Sequence, residues 1–271
     1  MSIFIPRSPA GIAALLRAAI RFAGSQTSAP ARLNISLDHN FDKLVRNIEP
    51  RAKKHLAFAT AKALTKTAQL VKRDLQQEMT KVFDRPTPYT KNAIYIKPAT
   101  KEKLEARVWL KDGSYLLPQI FGGSRKLKRF EKSLASAGLL PAGMHAVPGS
   151  AAQLDAYGNM QRGQLVRILS SLRAFGEQGY SANMNAKQRG RLTKRTRSAY
   201  FVGRPGGGKF PLGVWETKAS GFGRSVARPV IMFVRASSYR KRFRFFEVAQ
   251  NTVQIEFEDQ FKQALAEAIN G

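Results

Sequence analysis

The chain contains no cysteine, few acidic residues and no long apolar run. Without cysteine it can form neither a disulfide, nor a cysteine-ligated zinc site, nor a thiol nucleophile. No segment approaches the roughly 18 consecutive apolar residues of a membrane-spanning helix, so the sequence predicts no transmembrane segment. Three histidines occur, His39, His55 and His145, and none stands at a metal-ligand spacing such as H-E-x-x-H.

The shortage of acidic residues leaves the chain strongly basic. Its 271 residues include 46 Lys and Arg but only 18 Asp and Glu, which gives a formal net charge of +28. A protein of this charge attracts polyanions or acidic protein surfaces, and nucleic acid is the commonest such partner. The hydrophobic content of 43%, with 17 Phe, is nevertheless sufficient for a folded core.

The segment GRPGGGKF, residues 203–210, matches most of the phosphate-binding pattern G-x-x-x-x-G-K-[ST]. A nucleotide-binding loop of that kind needs a Ser or Thr after the lysine and then a helix. Here Phe210 and Pro211 follow, and then LGVWETK, which has the composition of a β-strand. We therefore predict a structural, glycine-rich turn between two strands. The tip of this predicted hairpin consists of Arg204, Gly206, Gly207, Gly208 and Lys209.

Two long helices are the strongest secondary-structure predictions. Apolar residues recur every three to five positions through 51–80, which predicts a helix with a face of small side chains. A second apolar stripe predicts a closing helix over 245–269, with core positions for Phe257, Phe261 and Leu265.

Alternating apolar and polar residues predict strands between the two helices. NAIYIKP and KLEARVWLK indicate a hairpin with its turn near 99–103, and AYFVG, LGVWETK and RPVIMFV indicate three further strands. Another helix is predicted over about 162–175, followed by an exposed polar loop over 176–197. The sequence therefore predicts an α+β fold, an antiparallel sheet packed against two long helices with inserted helical and loop segments.

The predicted domain organisation has two parts. Residues 1–40 are an N-terminal segment, with a basic amphipathic helix at 11–24 that docks on a partner, followed by a linker at 24–37. A targeting peptide is the less favoured interpretation, because arginines interrupt its apolar core. Residues 41–271 are predicted to form a single α+β domain with an insertion at about 113–198.

The basic residues are concentrated in the second half of the chain. Residues 178–246 contain sixteen Lys and Arg but one acidic residue, Glu216. Two runs dominate, KQRGRLTKRTR at 187–197 and SSYRKRFRFF at 237–246. Bases interleaved with aromatic residues suit phosphate contacts and stacking on nucleobases, and the alternative is a solvated surface facing an acidic protein. The candidate contacts to DNA or to an acidic partner are Lys187, Arg189, Arg191, Lys194, Arg195, Arg197, Arg240, Lys241, Arg242 and Arg244.

No catalytic motif accompanies these runs. A G-x-S-x-G nucleophile motif is absent, and so are helix-turn-helix, zinc-finger and RNP signatures. Glu256, Glu258 and Asp259 form a carboxylate cluster that could bind a metal or share a proton, but among so many bases salt bridging is the favoured role. We therefore expect a protein that is not an enzyme and has no resident metal or cofactor.

Four segments of the chain form a recognisable combination. They begin with an Ala-rich helix, AFATAKALTKTAQLVKRDL, and the hairpin AYFVGRPGGGKFPLGVWET. The other two are DAYGNMQRGQLVRILSSL and the closing VIMFVRASSYRKRFRFFEVAQNTVQIEFEDQFKQALAEAI. Together these segments, which span about residues 45–270 and contain no catalytic motif, resemble the minor tail protein Z and related tail-completion proteins of long-tailed bacteriophages and prophages.

The resemblance implies a structural virion protein, an α+β subunit of the neck at the head-proximal end of the tail. Such subunits form a ring, here expected to be hexameric, beside tail-terminator, tail-tube and head-connector proteins, and genomic DNA passes through the channel. Assembly would take place in the host cytoplasm, without a membrane partner. Two alternatives stay open: a prophage-encoded, sequence-nonspecific nucleic-acid-binding protein, and a head-tail adaptor on the capsid side of the junction.

Overall fold

A computed structural model describes residues 20–24, 32–37, 50–111, 115–176, 182–196, 198–219, 225–235 and 238–270. The helices are α1 (Pro50–Val82), α2 (Pro88–Lys91), α3 (Leu117–Phe121), α4 (Arg129–Ser136), α5 (Arg162–Ser171), α6 (Ala186–Thr196) and α7 (Phe245–Asn270). The strands are β1 (Ile20–Gly24), β2 (Arg32–Leu37), β3 (Ile94–Lys97), β4 (Glu105–Leu110), β5 (Met144–Pro148), β6 (Ser198–Gly203), β7 (Gly213–Ala219) and β8 (Ser225–Arg235). Helices and antiparallel sheets confirm the predicted α+β class. Among these helices, none is both long and apolar enough to cross a membrane.

The chain divides into two compact units. One, which we call the body unit, comprises residues 1–122 and 239–271, and the other, the interposed unit, comprises 123–238. The sequence predicted instead a single domain from residue 41 with an insertion at 113–198. The inserted part extends further because β6, β7 and β8 pair with β5 in a sheet of their own rather than joining the sheet of the body unit.

The body unit is built on the antiparallel sheet β1-β2-β4-β3. The predicted hairpin is present as β3 and β4, in a register that pairs Tyr95 with Trp109. Helix α1 packs against these two strands, and α7 packs along α1. The predicted core residues Phe257, Phe261 and Leu265 are buried between these elements, which confirms their assignment.

Polar contacts link α1 and α7 along their length. Lys62 pairs with Glu267 near one end of the helix pair. Near the other end the Arg244 side chain, just before α7, lies 3.2 Å from the Glu78 carboxylate. Early residues of α1 thus meet late residues of α7, so the helices run antiparallel.

The N-terminal prediction was wrong over residues 20–37. Residues 20–24 and 32–37 are the strands β1 and β2, which pair antiparallel with each other, and β2 also pairs with β4. The predicted helix at 11–24 therefore cannot extend past residue 19, and its first part lies outside the described residues. Sequence alternation explains the strand, because RLNISL carries apolar residues at 33, 35 and 37.

The interposed unit has its own core and its own antiparallel sheet, β5-β8-β7-β6. Helices α4 and α5 contribute Leu134 and Ile168 to this core, and the sheet contributes Val214, Ile231 and Phe233. The predicted turn around GRPGGGKF is confirmed, since β6 and β7 pair antiparallel from Gly203 opposite Gly213 outwards.

Half of the predicted loop 176–197 is helical in the structure. Helix α6 covers 186–196, whereas an exposed loop was predicted because the segment has no apolar period. The helix begins with a reciprocal cap: the Gln188 amide donates to the Asn185 side chain at 2.8 Å, and the Asn185 amide donates to the Gln188 side chain at 2.9 Å. Such a pair satisfies backbone donors that a helix start otherwise leaves unpaired.

Candidate nucleic-acid interface

Helix α6 presents most of the first predicted basic run to solvent. The side chains of Lys187, Arg189, Arg191 and Lys194 are all exposed, and within the described part of the chain none of them forms an ion pair. Arg195 belongs to the helix, but its side chain, like the whole of Arg197, lies outside the described residues. Because α6 contains no acidic residue, its positive charge is not neutralised within the helix itself.

The helical repeat sorts these bases onto two sides of α6. At 3.6 residues per turn, Lys187, Arg191 and Lys194 align on one side, while Arg189 points to the other. The three aligned residues span about 10 Å along the axis, at 1.5 Å per residue. We call this set the α6 face. A row of exposed cations at this spacing can contact several phosphates of one nucleic-acid strand together.

The turn between β6 and β7 is a second exposed basic element. Arg204 and Lys209 are exposed at its two ends. Between them Gly206, Gly207 and Gly208 have φ values of 66°, 67° and 89°, a left-handed conformation that favours glycine. All five predicted tip residues therefore lie at the turn, as the sequence indicated.

Phe210, which breaks the nucleotide-binding pattern, has a packing role in this turn. Its ring lies 5.6 Å from the Trp215 ring, centroid to centroid. A Cβ atom on Gly206 would come within 2.8 Å of the Phe210 ring, so the glycine backbone lies directly against it. The turn thus folds back over the tryptophan, and a β-strand rather than a helix follows it. This geometry is that of a structural turn, and it lacks the helix of a nucleotide-binding loop.

The second predicted basic run is only partly available for binding. The Arg242 side chain donates to the Gln119 side chain at 3.0 Å and also lies over the Phe83 ring. Arg244 pairs with Glu78, so two of the four predicted contacts hold the body unit together. Arg240 and Lys241 are exposed and form no ion pair with a described residue.

Two aromatic residues of that run belong to the core of the body unit. Phe243 and Phe245 are buried in the core of the body unit, in contrast to the predicted role on nucleobases. Phe243 is buried, whereas Arg242 and Arg244 on either side of it are exposed. In this run the alternation of basic and aromatic residues therefore reflects burial of the aromatic side chains in the core and exposure of the basic ones.

Comparisons of this chain with protein-family models, with curated proteins and with solved structures find no match. What the chain can bind is therefore inferred from its own residues and their geometry.

A third basic cluster, at the start of α4, was missed in the sequence. Its exposed members are Lys126, Lys128, Arg129 and Lys132. The signal was present, because RKLKRFEK at 125–132 contains five bases and one acid. That acid, Glu131, is fully buried, and the Arg125 guanidinium donates to both of its oxygens at 2.6 Å. It therefore does little to neutralise the exposed bases around it.

Glu131 is ionised although it is buried. Its carboxylate also accepts the backbone amides of Lys128 at 2.6 Å and Ala146 at 2.7 Å. Burial alone would raise the pKa of Glu131, but the Arg125 guanidinium and the two amides outweigh burial, so the pKa lies below its ordinary value. Through these hydrogen bonds the Glu131 carboxylate links the start of α4 to Ala146 in β5.

The interposed unit as a whole has a large excess of positive charge. Residues 123–238 contain 20 Lys and Arg but four Asp and Glu. Glu131 is paired with Arg125, and Glu216 lies 3.3 Å from the Arg228 side chain. Asp155 accepts two backbone amides within its own turn, and the fourth acid, Glu177, lies outside the described residues. The exposed bases thus have few acidic partners within their own unit.

The carboxylate cluster of α7 behaves as a surface ion-pair group. Glu258 lies 2.9 Å and Asp259 lies 3.9 Å from the Lys262 ammonium. Within the described ranges, no three His, Asp or Glu side chains come together in a way that could hold a metal ion. Of the histidines, His55 is exposed on α1, His145 lies in β5, and His39 falls outside the described residues.

Proposed function

We propose that this chain is a structural subunit of a long-tailed phage or prophage particle, a tail-completion or neck protein that contacts a polyanion through its interposed unit. The observation that carries the proposal is the exposed, unpaired α6 face in a unit with 20 bases and four acids. The proposed location at the head-proximal end of the tail is based on the resemblance of residues 45–270 to the tail-completion proteins. The body unit would supply contacts between neighbouring subunits of a ring.

The charge distribution favours DNA as the polyanion. Duplex DNA carries one negative charge per about 1.7 Å of helix axis, so a surface beside it meets a continuous line of phosphates. The α6 face, the turn at 204–209 and the cluster at 126–132 are three exposed groups of bases in the interposed unit, and each of them can contact phosphates. The acidic surface of a neighbouring ring is the competing occupant.

Electron cryo-microscopy of the head-to-tail junction tests the proposed location. Particles would be induced from cells that encode the chain, and the junction would be reconstructed with its symmetry. We expect a ring of this chain around the channel, with the interposed unit facing either DNA or an adjoining ring. Density for the chain on the capsid side would favour the adaptor, and absence of the chain from purified particles would refute a virion role.

A salt titration tests the polyanion contact itself. Affinity for a duplex would be measured against salt for the wild-type chain and for K187Q/R191Q/K194Q. Removing three phosphate contacts should reduce the slope of log K against log salt by about three. The control is K187R/R191K/K194R, which keeps the charge and the helix. An unchanged slope in the Gln variant would exclude the α6 face from DNA contact.

The second candidate function is that of a nucleic-acid-binding protein that acts free in solution. The same exposed bases support it, because they need no ring to contact phosphates. Tight duplex binding by the isolated chain, together with its absence from particles, would establish this function instead. A tail subunit should bind duplex weakly alone and be retained in the particle.

A further inference from the structure

The side of β3 and β4 that faces away from the core carries an aromatic pair that the basic runs do not explain. The buried residues of β3 and β4 pack in one core with α1, and they alternate with residues on the opposite face. The residues on that opposite face are Tyr95, Lys97, Glu105, Arg107 and Trp109. This surface, with Lys111 beside it, is called here the open sheet face.

Tyr95 and Trp109 form the centre of the open sheet face. They are direct cross-strand partners, and their ring centroids lie 6.1 Å apart with the planes at 33°. Tyr95 is 41% exposed, so part of its ring is accessible to a ligand. An exposed aromatic ring accepts the face of any nucleobase without regard to sequence.

Cations surround the aromatic pair. The Lys111 ammonium lies over the Tyr95 ring, 5.2 Å from its centre, so a base that stacks on this face of the ring must displace it. Lys97 is exposed two positions further along β3. Among the described side chains of this face the one carboxylate is that of Glu105, which is engaged by Arg107 at 2.6 Å and by Lys103 at 3.0 Å. Lys97 and Lys111 form no ion pair with a described residue, so they place positive charge beside the rings, which complements phosphate.

We propose that the open sheet face binds single-stranded nucleic acid, with an unpaired base stacked on Tyr95 and Trp109 and the flanking phosphates on Lys97 and Lys111. Duplex DNA does not fit this site, because its bases are already stacked on one another. The site is distinct from the α6 face and does not depend on a tail location. A cross-strand aromatic pair also stabilises a hairpin, so the test must separate binding from stability.

The test compares three probes on matched variants. Fluorescence anisotropy would measure affinity for an oligothymidylate of about ten nucleotides, within the usual site size, for a duplex of equal length, and for heparin. Tyr95→Thr keeps a good strand residue but removes the ring. Loss of one stacked base should weaken oligothymidylate binding by about fivefold to a hundredfold and leave duplex and heparin binding unchanged.

Two further variants complete the design. Tyr95→Phe keeps the ring and should retain affinity for oligothymidylate within about twofold. Tyr157→Thr removes a tyrosine of the interposed unit with a matched exposure of 43% and should change nothing. Circular dichroism would establish that the variants are folded. Equal loss for all three probes, or wild-type affinity in Tyr95→Thr, would overturn the proposal.

A measurement on the wild-type chain does not depend on any variant. The chain has two tryptophans, and Trp215 is only 3% exposed, whereas Trp109 lies on the open sheet face. Stacking of a base on the pair should quench Trp109 emission when oligothymidylate is added and not when heparin is added. Equal quenching by both probes, or quenching by neither, would contradict stacking at this site.

Discussion

The Arg125–Glu131 pair should be the largest single polar contribution to the stability of the interposed unit. Glu131 is fully buried and accepts two hydrogen bonds from Arg125, whose side chain is 10% exposed, and two more from backbone amides. Glu131→Ala would remove the buried carboxylate that the Arg125 guanidinium contacts at 2.6 Å. Breaking a buried pair in this way typically costs about 3–5 kcal/mol, and Glu131→Gln should cost less because it retains an acceptor oxygen.

The effect should depend on pH in a defined direction. The pKa of Glu131 is lower in the folded chain than its ordinary value of 4.5. The ionised pair therefore contributes in full above pH 4.5, and the contribution is lost as the pH falls through the lower folded-state pKa. Glu131→Gln removes this dependence, so the difference in stability between wild type and variant should shrink as the solution becomes acid.

Urea unfolding followed by tryptophan fluorescence measures both effects. In a Trp109→Phe background the signal comes from Trp215, which lies in the interposed unit. Lys132→Ala, an exposed position on the same helix, is the control and should stay within about 0.5 kcal/mol of wild type. A loss below about 1 kcal/mol in Glu131→Ala, the range of a surface ion pair, would refute the assignment of a buried, fully engaged carboxylate.

Two further outcomes are expected in the interposed unit. Phe210→Ala should expose Trp215 to solvent and shift its fluorescence emission to longer wavelength. It should also remove an aromatic contact worth about 0.5–1.5 kcal/mol. Unchanged emission in the Trp109→Phe background would show that the Phe210 ring does not shield the indole. Asn185→Ala should remove the cap of α6, at about 1 kcal/mol, and speed amide hydrogen exchange over 186–196. Unchanged exchange there would mean that the cap does not hold the helix.

The elements that the sequence predicted well are those whose apolar pattern is long and one-sided. The helix predicted over 51–80 extends over 50–82, and the closing helix predicted over 245–269 extends over 245–270. Each has several turns of buried residues on one face, so local pattern and packing agree. The β3–β4 hairpin is similar, since its alternation gives one buried and one open face.

Helix α6 could not be recognised by the same criterion, because it is almost entirely exposed. Its polar sequence has no apolar stripe, and what indicates its start is the N-x-x-Q pattern of Asn185 and Gln188. Capping patterns are short and common, so they indicate a boundary only once a helix is suspected. The strands β1 and β2 were not predicted for a related reason. Each is only five or six residues long, which is too short for an alternating pattern to stand out.

The division into two units could not be predicted from the sequence. An alternation of apolar and polar residues predicts a strand, but it does not predict the strand with which it pairs. AYFVG, LGVWETK and RPVIMFV were recognised, but their sheet is completed by β5, a segment with no clear alternation of its own. The SSYRKRFRFF run shows the same limit at the level of side chains. Whether Phe243 faces a ligand or a core depends on long-range packing, here against the ring of Phe83 at 5.9 Å.

The distribution of carboxylates gives the two units different capacities for binding. Fourteen of the 18 acidic residues belong to the body unit, where Glu78 and Glu267 hold basic side chains across the α1–α7 pair. The interposed unit has four, and those described are engaged by neighbouring arginines or by backbone amides. The body unit is also basic, with 26 Lys and Arg against its 14 acids, but the ratio of bases to acids is much higher in the interposed unit. Positive charge this concentrated attracts polyanions and acidic surfaces. The proposed contact of the interposed unit with a polyanion follows from this difference between the units.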